Sequence, residues 1–261
     1  MNTIVLIFVL LIGQTSSDPD RLTIPFKDPT RPGTVKVRLF QGNLTVTPYS
    51  GRDVIVTSRS RKNRIAVNAD VQGLRRLTAG GFAVAEDNNV VSVRGDNFDK
   101  VDLELQVPAT TNLKIQSELG GNLTVTGIEG DIEVTNLNGA VTLTDVSGSV
   151  VTHSMNGTVL VTMKKVAPQK PMAFTSVNGN VDVTLPADTK ANLKLRTTLG
   201  DIYTDFDVQI TSPQLRSLDA VPTGRHPHVD FERAITGTIN GGGPDFELRT
   251  MNGNLFIRTA K

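Results

Sequence analysis

The sequence predicts an all-β protein, a right-handed parallel β-helix whose coils hold about 20 residues each. Three observations predict it. Gly121, Gly130, Gly139, Gly148 and Gly157 recur at intervals of nine residues. Between them apolar and polar residues alternate with period two, the pattern of a strand with one buried face. Aromatic residues form only 5% of the chain, with no Trp. Large rings usually carry much of a core's area, so this core must be narrow and aliphatic.

Residues 1–17 read as a secretory signal peptide. Ile4 to Ile12 is an unbroken run of Ile, Val, Leu and Phe. It is too short for a bilayer, which needs about 20 residues. Thr15-Ser16-Ser17 supplies small residues for a cut after Ser17, and Asp18-Pro19-Asp20 opens a polar mature chain. An N-terminal buried strand or an uncleaved anchor is the alternative. No membrane span is expected in the mature chain, and its localisation is expected to be extracytoplasmic.

Residues 18–110 are expected to form the first, irregular coils. Val35, Val37 and Leu39, then Gly42-Asn-Leu-Thr-Val-Thr, carry the repeat loosely. Val54 to Thr57, Val90 to Val93 and Val101 to Val107 are further strands. A separate N-terminal β-sandwich is the alternative. Arg59, Arg61, Lys62 and Arg64 read as a solvated loop.

Residues 111–261 are expected to form the regular coils. Two unit types alternate. One ends on a corner at Gly120, Gly139, Gly157, Gly179, Gly200 or Gly253, and the other follows that corner. Glycine suits a corner because it lacks Cβ and tolerates positive φ. Stacking in sequence order puts Leu123, Val141, Val159, Val181, Ile202 and Leu255 in one inward column. Val125, Leu143, Val161 and Val183 form the next, and Thr126, Thr144, Thr162 and Thr184 form an outward ladder. Lys114 should lie beside Glu133. An insertion near residues 207–236 interrupts the series. Right-handedness follows from the general chirality of parallel crossovers.

Charge narrows the function. The chain holds 27 basic and 26 acidic residues. That balance lacks the footprint of a nucleic-acid binder and gives no reason for adsorption to an acidic membrane. With no Cys there is no disulfide and no thiolate metal site.

These strand, corner and strand units resemble an adhesin-like β-helix family of bacterial exported proteins. Val107-Pro108-Ala109-Thr110-Thr111-Asn112-Leu113 resembles its entry into the regular coils. The stretch from Ile239 to Gly253, with Gly241-Gly242-Gly243, resembles its Gly-rich closing segment. The resemblance spans roughly residues 33–261. It implies an extracytoplasmic all-β protein of adhesin-like character, and brings no catalytic set.

Candidate chemistry is sparse. Enzymes on parallel β-helices need clustered carboxylates on one sheet face. Here Asp131, Glu133, Asp182, Asp201 and Asp205 are scattered, and only Asp182 and Asp205 are placed to meet on neighbouring coils. His226-Pro-His228, with Asp230 and Glu232 beyond, offers two metal ligands without a third fixed by spacing. His153 reads as a solvated strand residue. Gly241-Gly242-Gly243 lacks the Lys-Ser/Thr of a phosphate loop. Asn43-Leu-Thr45, Asn122-Leu-Thr124 and Asn156-Gly-Thr158 match the glycosylation pattern but read more simply as corners. No catalytic, cofactor or metal residue is therefore assigned, and no cofactor is expected. The expected role is non-enzymatic surface display or binding of a protein or glycan partner at the cell envelope. Carbohydrate binding or processing is the alternative. Either the insertion near residues 207–236 folds back as a cap over the terminal coil, or ends pair between chains in end-to-end self-association.

Overall fold

The computed structural model describes residues 20–60, 82–95, 100–217 and 231–261. All regular elements among them are strands. The early chain forms β1 (Asp20–Pro25), β2 (Thr34–Gln41), β3 (Leu44–Tyr49), β4 (Asp53–Ser60), β5 (Phe82–Asp87), β6 (Val90–Gly95) and β7 (Val101–Pro108). The regular repeats form β8 (Asn112–Gly120), β9 (Leu123–Thr126), β10 (Ile132–Asn138), β11 (Val141–Gly148), β12 (Val150–Asn156), β13 (Val159–Val166), β14 (Met172–Asn178) and β15 (Val181–Leu185). Then follow β16 (Ala191–Leu199), β17 (Ile202–Thr204), β18 (Gln209–Ser217), β19 (Phe231–Ile239), β20 (Asp245–Asn252) and β21 (Leu255–Thr259). The signal segment, most of the basic loop and the His226–His228 pair lie outside the described residues.

Two long, mostly parallel sheets result. One has ten strands in the order β1-β4-β7-β3-β9-β11-β13-β15-β21-β17. The other has eleven, in the order β18-β19-β16-β20-β14-β12-β10-β8-β2-β6-β5. Antiparallel pairs occur toward the ends, where β1 meets β4, β4 meets β7, β5 meets β6, and β19 lies between β16 and β18.

The inward columns follow the alternation in the sequence. Leu123, Val141, Val159, Val181 and Leu255 are fully buried in one, and Val125, Leu143, Val161 and Val183 in the next. Each such side chain contributes about 1.5–3 kcal/mol by leaving water. A third interior column is polar. Ser117, Asn136, Ser154, Ser176, Thr250 and Thr197 occupy equivalent places on adjacent strands, all buried. Ser176 Oγ donates to the carbonyl of Gly157 (2.9 Å), Thr250 Oγ1 to that of Gly179 (2.8 Å) and Thr197 Oγ1 to that of Gly253 (2.9 Å). Corner carbonyls that turn inward thus find donors, as buried backbone must.

The stacking order corrects the sequence expectation. Leu255, and not Ile202, lies beside Val181, and Ile202 pairs with Leu255 from the other side. In the same way β20 runs between β14 and β16. The reason is that β16 takes β19 as an antiparallel neighbour on its outer edge. The chain passes over that edge and returns, and residues Asp245 to Thr259 fill the interior place. The repeat says which residues are equivalent, and the connections decide which repeats touch. At the other end β2 and β3 sit between β8 and β6 and between β9 and β7. The Thr ladder also breaks once. Thr126 pairs with Thr144 and Thr162 with Thr184, but a bulge with Asp145 at φ 54° interrupts the step between them.

The corners hold a second correction. Of the expected glycines, Gly157, Gly200 and Gly253 do not have left-handed φ. What they share is closeness. A Cβ on Gly139 would lie 2.5 Å from the carbonyl oxygen of Gly121, one on Gly179 2.3 Å from that of Gly157, and one on Gly200 1.9 Å from that of Gly253. The column runs through Gly121 rather than Gly120.

Asparagines run beside the glycines. Asn156 Nδ2 donates to Asn138 Oδ1 (2.8 Å), Asn178 to Asn156 (2.7 Å) and Asn252 to Asn178 (2.5 Å). On the far side of the corner, Asn43 Oδ1 accepts from the backbone N–H of Asn122, and Asn122 Oδ1 from that of Ala140. The amides at these glycosylation-like positions therefore tie one repeat to the next.

Candidate ligand-binding face

The outward face of the ten-stranded sheet changes character toward β17. Its outer columns are rich in threonine, as far as Thr142 on β11 in one and Thr184 on β15 in the other. Past Thr142 the first of these columns continues with Leu160, Asp182, Phe256 and Tyr203, side by side on β13, β15, β21 and β17. Leu160 and Tyr203 are exposed. The rings of Tyr203 and Phe256 stack at 5.2 Å between centroids, 11° from parallel. Strand spacing of about 4.8 Å imposes that distance. Among the described residues Tyr203 belongs to the last strand of its sheet.

Arg258 lies two residues after Phe256, on the same side of β21. Its guanidinium sits 5.0 Å from the Phe256 ring centroid. Its Nε donates to both carboxylate oxygens of Asp182, at 2.9 and 3.1 Å. That hydrogen bond, and then the negative charge of Asp182, hold the guanidinium further above its already high ordinary range. Asp205 accepts from the Thr259 hydroxyl (2.9 Å) and the Thr259 N–H (2.7 Å). The hydroxyl bond comes first among the causes that keep its carboxyl below the ordinary value.

Asp182 and Asp205 are thus not on neighbouring strands. β21 separates them, and Arg258 reaches Asp182 from it. An acid catalyst needs a carboxyl raised toward neutrality, and Asp205 moves the other way. The remaining carboxylates serve the scaffold. Glu133 pairs with Lys114 at 2.9 Å, as the repeat predicts. Asp131 meets Lys170 at 2.6 Å and the Ser149 N–H at 3.1 Å. Burial pushes its carboxyl up, and these two partners bring it below the ordinary value. Asp201 lies 3.4 Å from the Tyr203 hydroxyl.

His153 is exposed on the other sheet, with Nδ1 2.8 Å from Thr175 Oγ1. Among the described residues no three His, Cys, Asp or Glu side chains gather as a metal site. Gly241 and Gly242 form a left-handed turn before β20, with φ 83° and 85°.

Sequence reasoning missed the aromatic pair with its arginine. The signal was present, since Tyr203 and Phe256 occupy the same outward place in Ile202-Tyr-Thr and Leu255-Phe-Ile. It became meaningful only once those units proved to be neighbours.

A family model for Toastrack DUF4097 matches residues 21–258, nearly the whole chain. The chain belongs to the Toastrack DUF4097 family. This Toastrack chain is similar to a candidate cell adhesion protein from Clostridium sporogenes, at 8% identity and a TM-score of 0.45, over 93% of this chain and 100% of the other. It is also similar to a candidate adhesin from Bacteroides fragilis, at 13% identity and a TM-score of 0.42, over 94% and 98%. A candidate adhesin from Parabacteroides merdae follows at 10% identity and a TM-score of 0.29, over 94% and 97%. No curated protein matches the chain.

Proposed function

We propose that this Toastrack protein is an exported, non-enzymatic, adhesin-like scaffold that binds a protein or glycan partner at the cell envelope. In this reading the two sheets are walls of a right-handed solenoid with coils of about 20 residues, the handedness following the rule for parallel crossovers. The observation that carries the reading is the Tyr203–Phe256 stack beside the Asp182–Arg258 pair. Aromatic area with pre-ordered charged donors and acceptors is the chemistry of recognition surfaces. Carbohydrate processing is the poorer reading, because Asp182 is tied to Arg258 and Asp205 to Thr259.

A glycan array combined with a lyase and hydrolase screen tests this. Binding without turnover, lost in Tyr203→Ala, is the expected result. Turnover abolished by Asp182→Asn would overturn the reading. Export predicts a mature chain starting at Asp18, which N-terminal sequencing of the secreted protein checks.

End-to-end association is part of the same proposal. Among the described residues β17 is the edge strand of the ten-stranded sheet, and Leu199, Tyr203 and Ile210 are exposed at that end. Sedimentation should show a concentration-dependent dimer or chain, and a strict monomer at every concentration would refute this part.

A further inference from the structure

A second surface lies away from the aromatic face, where the chain crosses from the ten-stranded sheet back to the eleven-stranded one. There a cleft of about 490 Å³ is lined by Lys164, Lys165, Lys190, Pro168, Pro186 and Pro244, among others. A second cleft of about 520 Å³ shares Lys164, Lys165 and Pro168 and extends to Gly148. The two adjoin along Lys164, Lys165, Val166 and Pro168, and side by side they make a grooved strip across successive repeats, about 4.8 Å per strand step.

Some lysines of the molecule are neutralised by a carboxylate, whereas among the described residues those of this groove, like Lys27, Lys36, Lys100 and Lys261, are not. Lys114, Lys170 and Lys194 each hold a carboxylate at 2.9, 2.6 and 2.6 Å. Lys164, Lys165 and Lys190 are exposed and have no ion pair among the described residues. Only Asp188 and Glu129 bring negative charge to the lining. The excess of positive charge lies in the first cleft, where three lysines face the single carboxylate of Asp188, and such a concave cluster attracts anions. The walls between the ammonium groups are Val166 and the three prolines, rigid and apolar.

We propose that this groove binds a linear acidic polysaccharide, one carrying a carboxylate on successive sugars. The C–H faces of the sugar rings lie on the proline walls, and the carboxylates meet the lysines. A single-stranded nucleic acid suits the groove less, since no aromatic side chain lines it to stack a base. The site is separate from the sheet face of Tyr203 and does not depend on it.

The test measures binding of the full mature chain to polygalacturonate, neutral dextran, inorganic polyphosphate and single-stranded DNA. Polygalacturonate is expected to bind, dextran not, and affinity to fall as salt rises. The triple variant Lys164→Gln, Lys165→Gln, Lys190→Gln should lose at least tenfold in affinity (order of magnitude, three charge contacts removed). Circular dichroism checks that it stays folded, and Tyr203→Ala should leave polygalacturonate binding unchanged. Equal binding by the triple variant overturns the proposal. So does DNA or polyphosphate binding as tightly as polygalacturonate, which would mark a general attraction for polyanions.

Discussion

Gly157 lies so close to Gly139 that a Cβ on Gly157 would fall 2.0 Å from the Gly139 carbonyl oxygen. That contact is backbone against backbone, and no side chain can move aside to relieve it. Gly157→Ala should therefore destabilise the fold by about 3 kcal/mol, at the top of the usual range for overpacking. Gly241→Ala is the control. Its φ is 83°, but nothing stands within 4 Å of the added methyl. It should cost only about 1 kcal/mol, the penalty of a left-handed residue with a Cβ. Urea titration of both variants separates closeness from φ.

The asparagine ladder should act as a set of modest fasteners. Asn156 donates to Asn138 and accepts from Asn178. Asn156→Ala loses both bonds at an exposed site and should cost about 1 kcal/mol. Asn156→Asp keeps the acceptor and loses the donor, and should fall between the two. Thermal melts of the three proteins check the order.

Stability at the β17 end should depend on acid. The Asp205 carboxyl lies below its ordinary value in the fold, chiefly through the Thr259 hydroxyl. A depressed folded value means the contribution is complete above the unfolded value of about 3.9 and is lost as pH falls through the lower folded value. Hydrogen-exchange protection in β17, measured against the intrinsic rate at each pH, should therefore fall below about pH 4. Thr259→Val should move the Asp205 titration upward, as read by carboxyl chemical shifts. An unchanged midpoint would count against the assignment.

The inner and outer columns should respond differently to truncation. Leu143 is fully buried, and Leu143→Ala should cost about 3 kcal/mol. Thr162 faces outward on the next strand, and Thr162→Ala should stay within about 0.5 kcal/mol. Equal costs would contradict the inward and outward assignment.

Period-two alternation was enough to place Val141, Leu143, Val159 and Val161 inward, because a strand has only two faces. The Lys114–Glu133 pair was legible for the same reason. Neighbourhood was not. Leu255 and Ile202 are equally good partners for Val181 by residue type, and the decision rests on the edge that β19 occupies. The aromatic face shared that fate, being assembled from units whose adjacency no local pattern states. The need for glycine at the corners was legible, but its cause was only half so. Positive φ can be guessed from a corner, whereas a carbonyl pressed against Cα from the next repeat is a fact of stacking.

The placement of β20 and β21 has a consequence for the order in which the molecule can be made. Strands β16 to β19 precede them in the chain, yet join β14 and β15 only through them. During synthesis the aliphatic faces of β16 and β17 must wait without parallel neighbours until Phe246, Leu248, Leu255 and Ile257 have emerged. The growing chain therefore cannot zip up repeat by repeat from one end. Strands β16 to β19 must instead dock late, onto β20 and β21, and such delayed non-local pairing is slow and leaves apolar surface exposed meanwhile.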